Sequence, residues 1–352
     1  MAAESLIGVI RQLARHEAVR GESLHAAFGD IMRGDGSPAQ VAALLMALRV
    51  KGETPAEVAG VVRALRDAMR TLPVRDADAL VDTCGTGGGA LTTFNISTAA
   101  ALVAAGCGVR VAKHGNRSFT SRSGSADVLE ALGVMIDLSP QAMSHVLDEA
   151  GIVFMFAPLM HPALRHVGPV RRDLGVPTVM NLVGPLANPA RAGRQVVGVA
   201  EPARLDLMAE ALAHLGTVRA LVVHGAPGMD ELSPLGPTAV REVRSGQVRA
   251  WTIDPDHLGI SATDPAELAG GDPAENATLI EAILAGGGPP GARDAVLLNA
   301  AAALYVSGDE LSFPDALANA RSGLIAGRGR EALERLRLAT RRASSAPAVP
   351  PQ

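Results

Sequence analysis

Residues 79–98 read ALVDTCGTGGGALTTFNIST. An apolar run at Ala79, Leu80 and Val81 feeds a turn with glycine at 85, 87, 88 and 89. The turn feeds a hydroxyl-rich segment, Asn95, Ile96, Ser97 and Thr98. Strand, glycine turn and helix start form the unit from which α/β folds are built. Glycines let the backbone bend sharply and aim its N–H groups at an anion. A helix opening at Asn95 offers free N–H groups and a positive dipole end to phosphate. A serine hydroxyl there, Ser97, can also ligate a magnesium ion held on the same phosphates. The turn has neither the Lys-Ser/Thr of a P-loop nor the spacing of a dinucleotide fingerprint. Each feature alone fits an ordinary tight turn or helix cap equally well.

Downstream of this unit, short apolar runs at 109–112, 152–156, 195–199 and 220–223 alternate with marked helices. Ser125 is placed to cap a helix over 126–132 that Gly133 ends, and Ser139-Pro140 opens another that Gly151 ends. This alternation implies a mainly parallel sheet covered on both faces. Upstream, everything before Pro73 reads as helix. Leu6, Ile10 and Leu13 share one stripe. Ser37-Pro38 with Gln40, and Thr54-Pro55 with Glu57, are capping boxes, the second opening an apolar face that runs to Met69. Residues 161–188 interrupt the alternation with prolines and basic segments and are expected to pack on the N-terminal helices. Residues 241–251, with Ser245-Gly246 at the centre, form a hairpin, and the loop 286–291 precedes a last pair of helices. The expected fold is α/β: a small N-terminal all-helical domain over 1–73, joined by 161–188, and a larger α/β domain over 74–343. The larger domain has a mainly parallel central sheet flanked by helices. The tail, 344–352, is expected to be disordered.

Composition narrows the function. The 352 residues are 48% hydrophobic but only 2% aromatic, with a formal net charge of −4. A general nucleic-acid binder needs a basic footprint, and stacking on bases needs aromatic faces. The two cysteines, Cys84 and Cys107, make no disulfide framework and have no metal-ligand neighbour at short spacing. The N-terminus reads as an amphipathic helix rather than a signal peptide, and no run is long enough to span a membrane. A cytoplasmic protein with local positive charge is expected.

Further polar motifs follow strand ends. KHGNRS, Lys113 to Ser118, lies where open α/β sheets bind ligands. Lys113 is a natural phosphate partner, and the Asn116 amide could orient a neutral acceptor. His114 could donate a proton or could simply be packed. Arg171 and Arg172 share a basic, proline-flanked loop with Arg165, and a guanidinium fits a carboxylate bidentately. The adjacent acids Asp230 and Glu231, in HGAPGMDELS, can share magnesium ions that also touch phosphate. Alone they would read as solvent-exposed turn acids.

In order, DTCGTGGG, TFNIST, KHGNRS, SGSADVLEALG, FAPLMHPALRHVGPVRRDLG, NLVGPLANP and HGAPGMDELS resemble the anthranilate phosphoribosyltransferase family over nearly the whole chain. The resemblance implies a cleft between a helical and an α/β domain, and a homodimer formed through the helical domains. It implies transfer of phosphoribose from 5-phosphoribosyl 1-diphosphate to anthranilate with two magnesium ions. Gly85, Gly88 and Gly89 would line the diphosphate substrate. Thr93, Asn95, Ile96, Ser97 and Thr98 would hold the diphosphate and its metal. Lys113, His114, Gly115, Asn116, Arg117, Ser118, Phe119, Thr120, Ser121 and Ser125 would wrap the sugar phosphate. Asn116 and Arg171 would hold anthranilate. Ser97, Asp230 and Glu231 would be the metal ligands, and positioning by Lys113, Asn116 and Arg171 would replace a dedicated acid or base. Two departures stand out: Gly89 replaces the aspartate usual in the family, and Leu164 stands where some relatives carry an aromatic residue. A nucleoside phosphorylase of related fold is the nearest alternative, against which Asp230-Glu231 and KHGNRS favour the diphosphate substrate. A non-catalytic nucleic-acid-binding relative is opposed by the net negative charge.

Overall fold

The computed structural model describes residues 4–118, 122–260 and 264–345. Helices α1 (Glu4–Ala14), α2 (Gly21–Arg33), α3 (Pro38–Lys51) and α4 (Pro55–Ala68) come first, with no strand among them. Both expected capping boxes form, Ser37 with Gln40 and Thr54 with Glu57, each followed by proline at the first helical position. Such caps are worth about 1 kcal/mol each. Met69 follows α4 in extended conformation, so the helix stops ahead of Pro73.

The larger part runs β1 (Val81–Gly85), α5 (Ile96–Gly106), β2 (Val111–Gly115), α6 (Ser125–Ala131), α7 (Pro140–Ala150) and β3 (Ile152–Phe156). Three short helices follow, α8 (Ala157–Met160), α9 (Gly168–Leu174) and α10 (Met180–Val183). Then come β4 (Arg194–Gly198), α11 (Leu205–His214), β5 (Arg219–Gly225), β6 (Thr238–Arg244) and β7 (Gln247–Ile253). Helices α12 (Pro273–Leu284), α13 (Pro290–Ser307), α14 (Phe313–Ile325) and α15 (Arg328–Ser345) close the chain.

The seven strands form one sheet in the order β3-β2-β1-β4-β5-β6-β7. The first five in that order are parallel, and β6 and β7 are antiparallel. The chain winds outward from β1 to β3 and then returns to β4 on the other side of β1, so the winding reverses between β1 and β4. Ligands of open α/β sheets bind outside the carboxyl ends of the strands at such a reversal. The β6–β7 turn has positive φ at Ser245 (50°) and Gly246 (76°), the mirror-image turn that suits a twisted hairpin.

Helices α5, α7, α13 and α15 cover one face, and α11 covers part of the other. The N-terminal helices complete that second face. Leu24, Leu44 and Leu65 share one apolar cluster with Val197 of β4, Val222 of β5 and Val243 of β6. Val167, Val170, Met180, Val183 and Leu186 belong to the same cluster, which seats much of 161–188 against the bundle.

Several local expectations change. Ala77–Ala79 is a 3-10 turn, and β1 instead carries the polar DTCG segment that the sequence reading placed in the glycine turn. Likewise Lys113, His114 and Gly115 are the last residues of β2. Asp82, Thr83 and Lys113 can be strand interior here because their side chains are bonded, as described below. Gly124 rather than Ser125 is the cap of α6, its N–H donating to Asp127 at 2.9 Å. Arg171 sits in helix α9, not in a loop. The loop ends earlier than expected, since Gly291 already belongs to α13, and three helices rather than a pair follow it, α13, α14 and α15. Ser344 belongs to α15, and residues 346–352 lie outside the described residues.

Candidate active site

The Asp230-Glu231 segment lies directly across the ends of β1 and β4. A Cβ on Gly198, the last residue of β4, would stand 1.6 Å from the Asp230 carbonyl oxygen. A Cβ on Gly85, the last of β1, would stand 2.5 Å from Asp230 Oδ2. At Gly198 the neighbour is backbone and no side chain fits, and at Gly85 the Asp230 carboxylate would have to shift, so these two glycines let the acid loop rest on the strand ends. The Gly87 N–H donates to Asp230 Oδ2 at 2.8 Å, and Ala90 N–H donates to the Gly228 carbonyl at 2.8 Å. The glycine turn and the acid loop are therefore one hydrogen-bonded unit. At Gly89 a Cβ would lie 3.3 Å from Asp230 Oδ1, so the departure from the family pattern falls beside this carboxylate.

The N-terminus of α5 faces the same place. The Ser97 N–H faces the Glu231 carboxylate and draws its pKa down. The Ser97 hydroxyl accepts from Lys113 Nζ at 3.2 Å, and Lys113 also bonds the carbonyl and hydroxyl of Thr83 on β1. Asn95 does not cap α5. Its side chain is bonded instead to Ser123 (3.2 Å) and to Asn276 of α12 (3.0 Å). Thr93 pairs with Ala269 in an isolated bridge, so the segment before α12 braces the approach to the helix. Ile96 and Thr98 point inward, and the buried Thr98 hydroxyl has no partner among the described residues.

Burial dominates the electrostatics. Glu231 is pushed up to about 8, mainly by loss of water and secondarily by Asp230, against the pull of Lys113 and the Ser97 N–H. Asp230 is raised by burial, opposed by the Gly87 N–H, its own N–H and His224. Lys113 is lowered by burial, opposed by Asp82, Cys84 and Glu231. Asp82 is fully buried on β1, bonded to the His114 N–H at 3.1 Å and the Asn188 amide at 2.7 Å. Asn188 also donates to the Ala112 carbonyl at 2.9 Å, tying the chain after α10 to β2.

The remaining polar residues spread from this centre. His114 and His161 meet with ring centroids 5.0 Å apart, and the buried Nε2 of each has no partner among the described residues. Burial holds His114 well below its ordinary value, with His161 and Lys113 adding to the effect, and lowers His161 to about 4. Ser125 donates to the Asn116 carbonyl at 3.3 Å, and a Cβ on Gly115 would collide with that hydroxyl at 2.1 Å. Arg117 is turned away to α6, bonded to Asp127 (2.8 Å) and Glu130 (2.6 Å) and lying over the Phe156 ring. Ser118 N–H donates to Asp127 at 3.2 Å, so Asp127 pins this part of the loop. Arg171 is partly buried on α9, beside the helical bundle, and burial lowers its pKa. Phe119, Thr120 and Ser121 lie outside the described residues.

Gly85, Gly89, Ser97, Lys113, Asp230 and Glu231 thus converge, while Arg117 does not join them. The sequence reading missed Asp82, Asn188 and Asn276, and also Asn299 of α13, whose amide bonds the N–H and the carbonyl of Leu232 next to Glu231. The available signal was a lone polar residue in an apolar run, as at Asn299 in AVLLNAAAAL.

Comparison with known proteins sets this centre in a family. Residues 77–330 match the α/β domain of a glycosyl transferase family, and residues 7–69 match its helical bundle domain. The anthranilate phosphoribosyltransferase of Thermomicrobium roseum is 51% identical over 315 residues, which cover 89% of this chain and 90% of the relative. The crystal structure of anthranilate phosphoribosyltransferase from Thermus thermophilus superposes with a TM-score of 0.89 at 44% identity, covering 95% of this chain and 99% of that one. The enzyme of Saccharomyces cerevisiae, in complex with PRPP and Mg, superposes with a TM-score of 0.86 at 25% identity, covering 96% and 98%. Matched along almost its whole length and in both of its parts, the chain belongs to the anthranilate phosphoribosyltransferase family.

Proposed function

We propose that the chain joins anthranilate to 5-phosphoribosyl 1-diphosphate, giving N-(5-phosphoribosyl)anthranilate and diphosphate, a step of tryptophan biosynthesis. The observation that carries this reading is the convergence of the glycine turn, the α5 N-terminus, Lys113 and the Asp230-Glu231 pair at the β1/β4 reversal, in a chain of this family.

Magnesium suits the donor set. Asp230, Glu231 and Ser97 offer only hard oxygen atoms, which Mg²⁺ prefers. Two buried acids held above their ordinary range, with Lys113 as the cation among them, are short of positive charge. Among the described residues no three His, Cys, Asp or Glu side chains group into a metal cage. That fits Mg²⁺, which is usually held by one or two carboxylates and substrate phosphates. Two ions are inferred, with Asp230 on one and Glu231 shared between them. Bound there, magnesium would offset the charge of the departing diphosphate.

The chain's own groups do the rest. The backbone N–H groups of Gly85, Gly88 and Gly89, together with Ser97 at the helix start, support an assignment as the diphosphate cradle, with Asn95 bracing that helix start through Ser123 and Asn276 and Thr98 buried behind it. Lys113 adds positive charge beside Ser97. Asn116 and Arg171 are assigned to anthranilate, the guanidinium to its carboxylate. The reaction breaks the bond from the anomeric carbon to diphosphate and forms one to the amine nitrogen, whose proton passes to solvent. The aromatic amine is already neutral near pH 7, so positioning rather than a strong base carries the rate. A homodimer through the N-terminal helices, with domains near 1–73 and 74–343, and a cytoplasmic location complete the reading. Loss of anthranilate fluorescence on adding 5-phosphoribosyl 1-diphosphate tests it. The signal should fall only with magnesium present, and a signal that stays constant under both conditions rejects the assignment.

A further inference from the structure

Asn299 stands in the middle of α13 and is 3% exposed. A buried amide is costly unless its groups are bonded. Here Oδ1 accepts the Leu232 N–H at 3.0 Å, and Nδ2 donates to the Leu232 carbonyl at 2.9 Å and the Ala295 carbonyl at 2.9 Å. The first two bonds grip one residue by both of its peptide groups, as a neighbouring strand would. That residue directly follows Glu231 and is itself fully buried. Asn299 also lines a small cavity together with Glu231, Ser97, Thr83 and Cys84.

Two adjacent buried acids repel each other, so the loop that carries them must be held on both sides. Upstream, Asp230 is seated on Gly85 and Gly198. Downstream, the hold is Asn299. We propose that Asn299 is a positioning residue: by fixing the Leu232 peptide it sets where the Glu231 carboxylate points relative to Ser97, and so how tightly the magnesium–diphosphate substrate binds. The proposal rests on the assignment of Asp230 and Glu231 to magnesium. Partners of this kind, one step removed from a metal ligand, typically alter metal affinity or activity about 10- to 100-fold when replaced.

Asn299→Asp gives a test, because a carboxylate keeps the acceptor for the Leu232 N–H but loses both donors, to the Leu232 and Ala295 carbonyls. Titration calorimetry of Mg²⁺ with 5-phosphoribosyl 1-diphosphate on the full chain should show affinity about tenfold weaker for Asn299→Asp at pH 8. The anthranilate KM should not change. If Asn299→Asp fails to fold, Asn299→Gln keeps the amide but displaces it, and should weaken the same binding. A folded variant with wild-type affinity, even with a lowered melting temperature, overturns the role. Wild type that itself fails to bind the magnesium–diphosphate pair would reject the metal assignment, and with it the role of Asn299.

Discussion

At the scale of single residues, charge and burial make the sharpest predictions. Arg171→Ala should raise the anthranilate KM about tenfold or more, the cost of losing a charge-assisted hydrogen bond, while leaving the KM for the diphosphate substrate nearly unchanged. Equal losses for both substrates in steady-state kinetics would remove Arg171 from the anthranilate site. Asp230→Asn with Glu231→Gln should raise the magnesium concentration needed for half-maximal rate about tenfold or more, and an unchanged magnesium titration would clear both residues of metal binding. The His114–His161 pair predicts the response to acid. Both folded-state values lie below 6.5, His161 at about 4. Between about 6.5 and 4 the unfolded chain therefore binds protons that the folded chain does not, and stability falls as pH falls through that window. His161→Gln should flatten this fall in denaturant midpoints measured against pH, and a slope identical to wild type would show that His161 does not titrate as a buried group. These residues were unequally legible. Lys113, Asp230 and Glu231 sit in motifs whose chemistry can be named from the sequence, whereas the paired environment of His114 and His161 arises only when β2 and the segment after α8 meet.

At the scale of elements, what was legible is what local chemistry decides. The capping boxes of α3 and α4, the Ser139 cap of α7, the β6–β7 hairpin and the bounds of β3 all follow from short-range rules, and all are present. What stayed hidden is where a strand is polar and buried. β1 carries Asp82 and Thr83, and their partners Asn188 and Lys113 are distant in sequence. No alternation of apolar residues marks such a strand, so in the sequence its apolar threshold, Ala79 to Val81, reads as the strand itself. The same long-range logic explains Gly198, which looks like an unremarkable strand end until Asp230 is laid on it. Gly198→Ala would place a methyl group 1.6 Å from the Asp230 carbonyl, and the neighbour is backbone rather than a side chain that could swing away. The loop must lift. The expected result is a drop in kcat/KM for the diphosphate substrate of about 100-fold or more, beyond any loss of stability, since misplacement by one ångström can cost that much. Near-normal kinetics in the folded variant would mean that the acid loop does not need to rest on β4.

At the scale of the whole molecule, the bundle and the sheet are not independent bodies. The apolar cluster that joins Leu44 and Leu65 to Val197 and Val222 covers a sheet face that α11 alone leaves open, so the N-terminal helices finish the core of the larger part. One ion pair crosses the same junction. Glu53, in the link between α3 and α4, bonds Arg204, which follows β4, at 2.9 Å. The Glu53 side chain is 0% exposed and that of Arg204 is 18% exposed, and Glu53 Oε1 has no hydrogen-bond partner among the described residues. Arg204→Met therefore strands a buried carboxylate, and should cost about 3 kcal/mol in chemical denaturation. Adding Glu53→Gln removes the stranded charge and should recover most of that loss, because a buried pair contributes little net stability beyond satisfying its own desolvation. Recovery would show that the junction stays dry and closed in solution. If Arg204→Met alone were neutral, water must reach Glu53, and the bundle would have to move away from the strand ends that carry the candidate active site.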